Sequence, residues 1–420
     1  MVLYKQLLTG NYYMNVSTDK TAIDEVTSRS IAEILPNKKA FSEALSTGKQ
    51  LTFYVGIDPT ADYVHLGHST NYLILERLHE MGHRIIVLVG DFTAAIGDPS
   101  DKTSMRVQLT KEEIEENLAT FKDQIGKILD FETKENPIEF RFNSEWLSSL
   151  TFKDSVELAS NFTVQQMLER DAFKKRVEQQ KPLYIHEFFY PLMQGFDSVA
   201  MDVDAEIGGT DQTFNMLAGR TLLKRYKNKE KFVITTTLLE NPETGEKLMS
   251  KSLGTGVGLN EPPKSMFIKI MQLPDAGVMQ CFIDCTRMPL DQIDSIKKEL
   301  DRGTNPRDIK LRLAHEIVTM YHGNELADKA REDWIAEVSE KKLSDNIPTL
   351  KLDANTDLVS AIASLDVAGS NSAIRRLVEQ GAIRVNDQKI TVEQLHDITL
   401  SEGDIVAIGK RHTVKIELRK

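Results

Sequence analysis

Residues 54–68 read Tyr54-Val-Gly-Ile-Asp-Pro-Thr-Ala-Asp-Tyr-Val-His-Leu-Gly-His68. No other stretch restricts the fold as strongly. A short β-type run, Leu51–Val55, ends at Gly56. A turn punctuated by Pro59 follows, and a helix begins near His65 and carries Tyr72, Leu75 and Leu78 towards Met81. Strand, tight turn and helix open a unit whose strand is buried on both faces. His65 and His68 are three apart, so they share one face of the first helical turn. They sit there beside unpartnered backbone N–H groups and the positive end of the helix dipole. That place suits a polyphosphate. Gly67 has no side chain, which lets a nucleotide approach the backbone. A zinc site would need further ligands, and neither cysteine has the supporting spacing.

The rest of the chain repeats this alternation. Arg84–Val89 is a second apolar run, and Ile138–Phe142 and Phe232–Thr237 read as further strands. Helical periodicity covers 21–50, 111–130, 151–180 and 212–226. Such alternation predicts an α/β domain around a parallel sheet over 1–258. From 259 to 340 the pattern is helical only. Residues 341–356, polar and containing Pro348, read as a linker. Residues 357–420 read as a small α+β module. Its helix, Ala373–Gln380, is capped by Ser370 or Ser372 and stopped by Gly381, and strands follow at 383–385, 404–408 and 414–418.

Composition excludes several classes. Of 420 residues, 40% are hydrophobic and 27% charged, as in soluble globular proteins. No apolar run reaches the ~18 residues of a membrane span, so no membrane partner is expected. No signal peptide is evident, although Met14 offers a second start. Cys281 and Cys285 are neighbours on a helix face and read as reduced core residues of a cytoplasmic protein. The net charge of −11 argues against nucleic acid as a partner of the whole surface. Residues 351–420 hold ten basic and ten acidic residues, however, so the acidic excess lies entirely in the first 350. A neutral tail with clustered Arg and Lys suggests a separate module with its own task.

A second chemical element is Gly245-Glu-Lys-Leu-Met-Ser-Lys-Ser252, a polar loop that can bring an ammonium to a phosphate as charge builds. Further elements are Gly97-Asp-Pro-Ser-Asp-Lys-Thr-Ser-Met-Arg106, Tyr190-Pro-Leu-Met-Gln-Gly-Phe-Asp197 and Ile207-Gly-Gly-Thr-Asp-Gln212. The histidine and lysine elements resemble the HIGH and KMSKS motifs of class I aminoacyl-tRNA synthetases, in that order. The others resemble the amino-acid pocket of the tyrosyl-tRNA synthetase family. Residues 370–386 resemble an S4-type RNA-binding module. The resemblance covers roughly 30–420 and implies a Rossmann-like catalytic domain, a helical anticodon-binding domain and an S4-like domain. Two positions depart from the family pattern: Leu248 stands at its first lysine, with Lys247 one residue earlier, and Asp101 stands where many members have glycine.

The reaction so implied joins tyrosine to ATP, giving tyrosyl-adenylate and pyrophosphate, and then moves tyrosine to the 3′ end of tRNA(Tyr). A carboxylate attacking an α-phosphate needs no protein nucleophile, so catalysis rests on positioning and cations. By resemblance, Thr60 and His65 contact the departing phosphates, and Gly67 and His68 meet the ATP ribose and phosphates. Gly56, Asp58, Gly209, Asp211 and Ser250 complete the ATP site. Lys102, Arg106 and Lys251 are cations for pyrophosphate, with Mg2+ as a charge partner and no resident metal site. Tyr54 and Asp197 hydrogen-bond the substrate hydroxyl, Asp98, Tyr190 and Gln194 hold the α-ammonium, and Asn143 and Gln212 line the pocket. Tyr-x3-Gln-x2-Asp spacing puts three of these on one helix face. A buried polar pair built for an OH is left unpaired by phenylalanine; tyrosyl enzymes are themselves the standard illustration of that rule. Arg375 and Arg376 at a helix start, with Lys389, Lys410 and Arg411, suit RNA phosphates. The family also implies a homodimer.

Three rivals are weighed. A tryptophanyl enzyme shares the chemistry, but the Tyr54/Asp197 pair and the S4-like tail argue against it. A small HxGH nucleotidyltransferase leaves 262–420 unexplained. A non-catalytic, synthetase-derived RNA-binding protein would be expected to have eroded motifs, whereas both histidines and Lys251 are present. Lys251→Ala is expected to lower adenylate formation far more than tyrosine binding. Equal losses in pre-steady-state and binding measurements would make Lys251 a binding or folding residue instead.

Overall fold

The computed structural model describes residues 15–98, 110–249, 256–339, 348–353, 356–365, 371–386, 388–392, 394–396, 398–409 and 412–419. The chain divides into two compact units, Met1–Glu332 and Asp333–Lys420. No helix among the described residues is long and apolar enough to cross a membrane.

The first unit is built on six strands: β1 (Ile31–Leu35), β2 (Thr52–Ile57), β3 (Arg84–Val89), β4 (Glu139–Phe142), β5 (Ala205–Gly209) and β6 (Phe232–Thr236). Their order across the sheet is β1-β6-β5-β2-β3-β4. Neighbours from β6 to β4 run parallel, as the apolar runs predict. β3 has five of its six residues buried, which marks a strand covered on both faces.

β1 corrects the sequence expectation. Residues 21–50 carry helical spacing, yet only Lys20–Val26 and Lys38–Ser46 are helices. Between them Ile31–Leu35 pairs antiparallel with β6, from Ile31↔Thr236 to Leu35↔Val233. Ser30 at φ 62° and Pro36 punctuate this stretch, and sheet pairing overrides a weak helical preference. The long helices expected at 111–130 and 151–180 are likewise divided. Lys111–Leu118 and Phe121–Ile125 replace the first, and Phe152–Ala159, Val164–Leu168 and Asp171–Glu178 replace the second. Thr151 with Asp154, and Thr163 with Gln166, form reciprocal capping boxes that start new helices.

Beyond the sheet come the helices Pro263–Met271, Val278–Cys285, Leu290–Asp301, Pro306–His322 and Asn324–Trp334. Pro263 and Pro306 stand in first turns, where a missing N–H costs nothing. Cys281 and Cys285 are buried and unbridged. Arg29 is buried too, and donates to the carbonyls of Ile283 (2.9 Å), Thr286 (2.8 Å) and Met288 (2.9 Å), closing the C-terminal end of Val278–Cys285.

The second unit has five strands: β7 (Thr349–Leu352), β8 (Ile383–Val385), β9 (Gln388–Lys389), β10 (Ile405–Ile408) and β11 (His412–Leu418), ordered β7-β11-β10-β8-β9. β7 lies inside the stretch expected to be a linker, and runs parallel to β11. Leu358, Ile362, Ile374, Val378, Ile383, Val406 and Ile416 form the core. Gly381, at φ 64°, ends the helix as expected. That helix is Asn371–Glu379, however, so Ser372 lies within it and Arg375 and Arg376 sit in its second turn rather than at its start.

In the first unit, helices Ile185–Met201 and Thr213–Lys227 approach closely through glycine. A Cβ on Gly195 would lie 2.9 Å from Leu222 Cδ1 and 3.1 Å from the Ala218 carbonyl carbon. Gly195→Val is therefore expected to destabilise the fold by about 2 kcal/mol through overpacking, read as a lowered unfolding midpoint.

Candidate active site

The site is set by where the sheet parts. β2 and β5 pair only through Phe53↔Ala205 and Tyr54↔Glu206. β2 continues beside β3 to Ile57↔Val89, and β5 beside β6 to Gly209↔Thr236. The two halves thus separate beyond Tyr54 and Glu206, at the carboxyl ends of the strands and at the switch point of the strand order. Open α/β sheets bind ligands in that crevice.

Tyr54 and Asp197 come together there, as expected. Tyr54 is fully buried, with its hydroxyl 2.9 Å from Ser198 Oγ. Asp197 is buried; its Oδ1 accepts from Trp146 Nε1 at 2.7 Å and its Oδ2 from Asn143 Nδ2 at 3.4 Å. Burial pushes the Asp197 carboxyl well above the usual range, against the pull of those two donors. Burial, with the charges of Glu206 and Asp197, pushes the Tyr54 hydroxyl up as well, so it stays protonated.

Asn143 also donates to Thr93 Oγ1 (3.0 Å), and Thr93 donates to Asp58 Oδ1 (2.8 Å). Tyr190 donates to Asp58 Oδ2 at 2.8 Å. Asp58, expected at the nucleotide, is therefore wired to the amino-acid side. Gly90 makes this possible, because a Cβ there would fall 2.0 Å from Asp58 Oδ1. The three residues expected at the α-ammonium have separate partners. Tyr190 bonds Asp58, Gln194 Nε2 donates to Glu206 Oε1 (3.0 Å), and Asp98 accepts from Arg170 (2.9 Å) and Gln212 (2.7 Å). Gly209 leaves room for Asp211, whose Oδ1 would be 2.4 Å from a Cβ there.

His65 is the N-cap of Leu66–Glu80, and the two histidines form a capping box of their own. His65 Nδ1 accepts from Gly67 N (3.1 Å) and His68 Nδ1 from His65 N (3.3 Å). With both Nδ1 atoms accepting, each ring carries its proton on Nε2. The rings stack, with centroids 3.8 Å apart. A Cβ on Gly67 would meet His65 Nδ1 and Cε1 at 3.0 Å, so this glycine admits the His65 ring itself. Thr60 lies in the preceding turn, its N–H donating to the Asp58 carbonyl, and Gly56 is exposed near the end of β2.

The described part of the lysine element is tied to the fold. Leu248 and Met249 are buried, and Leu248 fills the space left by Gly277, where a Cβ would be 2.5 Å from Leu248 Cδ1. Leu248 is therefore an apolar anchor, and Lys247 is exposed. Leu66 N donates to Val257 O (3.0 Å) and Leu259 N to Val64 O (2.8 Å), fastening the chain that follows the element to the histidine element. Lys102, Arg106, Ser250, Lys251 and position 101 lie outside the described residues, as do Lys410 and Arg411. Arg375, Arg376 and Lys389 are exposed, with Arg375 paired to Glu379.

The sequence reading missed Thr93, Trp146, Arg170, Ser198, Glu206 and Lys231. Glu206, a charge amid the apolar Ala205–Gly209, and Lys231, just before β6, were the visible signals.

The family of class I tRNA synthetases (W and Y) matches residues 46–339. A tyrosine–tRNA ligase of Carboxydothermus hydrogenoformans is 43% identical over 408 residues, covering 94% of this chain and 98% of its own. Tyrosine–tRNA ligase 2 of Clostridium acetobutylicum is 42% identical, over 90% and 93% respectively. A C-terminally truncated mitochondrial tyrosyl-tRNA synthetase from Coccidioides posadasii shares the fold, with TM-score 0.61 at 23% identity over 79% of this chain and 94% of its own. The chain belongs to the tyrosine–tRNA ligase family of class I synthetases.

A carboxyl raised on folding stabilises the fold fully below its unfolded pKa and loses that contribution as pH rises through its folded value. Asp197→Asn cannot ionise, so its unfolding midpoint should gain on the parent's as pH rises from about 4. Thermal unfolding across pH checks this; a variant whose midpoint falls relative to the parent's as pH rises would contradict it.

Proposed function

We propose that the crevice between β2 and β5 binds L-tyrosine, with Tyr54 and Asp197 at the phenolic hydroxyl. The observation that carries this is a buried carboxyl group, Asp197, held by the neutral donors Trp146 and Asn143 and, among the described residues, hydrogen-bonded by no cation. A phenolic O–H supplies the further donor that such a group lacks. Asp98, Tyr190 and Gln194 surround the α-ammonium, with Asn143 and Gln212 lining the pocket. ATP lies along the start of Leu66–Glu80. Gly56, Asp58, Thr60, His65, Gly67, His68, Gly209, Asp211 and Ser250 form its site. The tyrosine carboxylate attacks the α-phosphate; a P–O bond forms and the bond to pyrophosphate breaks. Lys102, Arg106 and Lys251 meet the charge that pyrophosphate carries away. The tRNA 3′-terminal hydroxyl then takes the tyrosyl group and releases AMP.

Magnesium enters with the nucleotide's phosphates. Among the described residues no group of three or more His, Cys, Asp or Glu side chains could hold a metal, so no resident site is assigned. Residues 259–340 contact the anticodon region, and residues 357–420 are an S4-like module in which Arg375, Arg376, Lys389, Lys410 and Arg411 meet RNA phosphates. The enzyme acts in the cytoplasm as a homodimer. Support for the dimer is the exposure of large apolar side chains on three helices of the first unit, Phe152 (86%), Val164 (66%) and Ile185 (79%). ATP–pyrophosphate exchange with each of the twenty amino acids should respond to tyrosine. Exchange with tryptophan and not tyrosine would overturn the assignment.

A further inference from the structure

Below the pocket floor lies an ion pair that the reaction itself does not require. Lys231 is 1% exposed overall and its side chain is fully buried, as is that of Glu206 at 1%. Lys231 Nζ donates to Glu206 Oε2 and, at 2.9 Å, to Ser198 Oγ. Its ammonium also stands 5.8 Å from the centroid of the Tyr54 ring. The fold reserves the space: a Cβ on Gly219 would fall 2.4 Å from Lys231 Nζ and 2.7 Å from Ser198 Oγ. Burying such a pair gains little stability over apolar packing, so its retention calls for another account.

We propose that Lys231 and Glu206 are positioning residues for tyrosine recognition, setting the hydrogen-bond polarity of Tyr54 through Ser198 and of Gln194 directly. The inference rests on the roles proposed above for Tyr54 and Gln194. An ammonium can only donate, so Ser198 Oγ must accept from Lys231. That leaves the Ser198 hydroxyl proton to point at Tyr54 Oη, 2.9 Å away. Tyr54 then accepts from below, and its own proton turns up to the incoming phenol. Glu206, the register partner of Tyr54, also reaches that hydroxyl and draws on its proton. Lys231 occupies one of its oxygens and Gln194 Nε2 the other. Holding the Gln194 amide nitrogen downward leaves its oxygen to accept from an ammonium. One buried pair thus orients groups at both ends of the amino acid.

The test is ATP–pyrophosphate exchange with tyrosine and with phenylalanine for the full chain and for Tyr54→Phe, Ser198→Ala, Lys231→Met and Lys231→Met/Glu206→Gln. Lys231→Met should raise the tyrosine KM and lower the tyrosine-to-phenylalanine ratio of kcat/KM by roughly ten-fold, the scale of one hydrogen bond, with the ATP KM unchanged. The double variant, with no competing carboxylate, should recover part of that ratio. Ser198→Ala keeps the ion pair and should lose the ratio similarly, which decides the matter if Lys231→Met does not fold. A ratio within two-fold of the parent's in folded Lys231→Met, or in Ser198→Ala, overturns the proposal even if stability falls. If Tyr54→Phe also keeps the ratio, the role of Tyr54 at the hydroxyl fails, and this inference with it. If Tyr54→Phe alone loses the ratio, that role stands and only the relay is wrong.

Discussion

Two residue pairs of ladder between β2 and β5 determine the rest of this structure. Had the strands stayed paired, backbone would fill the volume that instead receives the substrates. Parting them exposes a floor deep in the domain, and polar groups there must be satisfied by protein, since water is scarce. Tyr54 and Glu206, the last partners before the split, are where that demand begins.

Two polar chains meet it. One runs Tyr190–Asp58–Thr93–Asn143–Asp197 and ends at Trp146. The other runs Tyr54–Ser198–Lys231–Glu206–Gln194. Each links a strand end to helix Ile185–Met201, so the amino-acid contacts proposed for these residues inherit the rigidity of the sheet and of that helix. Positioning of this kind matters most in a reaction with no protein nucleophile. The mutual capping of His65 and His68 does the same for the proposed nucleotide side, because the ring nitrogens facing the backbone fix each imidazole.

Much of this was legible in the chain. The histidine element placed its strand, turn and helix start within a residue or two, because a Gly/Pro-punctuated turn before an apolar helix leaves few alternatives. Tyr54 with Asp197, and Asp58 in the turn, could be marked from their spacing and family likeness. β1 could not: Ile31–Leu35 is helical by spacing and becomes a strand only because β6 lies beside it. Lys231 and Glu206 were invisible as a pair, since 24 positions separate them and only the β5–β6 neighbourhood joins them. The place of Leu248 was visible and its meaning was not, because burial against Gly277 is a tertiary fact.

The margins of the first sheet carry a consequence for how the chain resists strand addition. At one margin, β1 has a register irregularity between Ile31 and Glu33 and is followed by Pro36. At the other, the four-residue β4 bears Glu139 and Arg141, engaged with Arg84 and Glu145. A bulge, a proline and fixed charges all discourage a foreign strand from extending a sheet. Fibre-like growth by adding strands at either margin is thereby disfavoured.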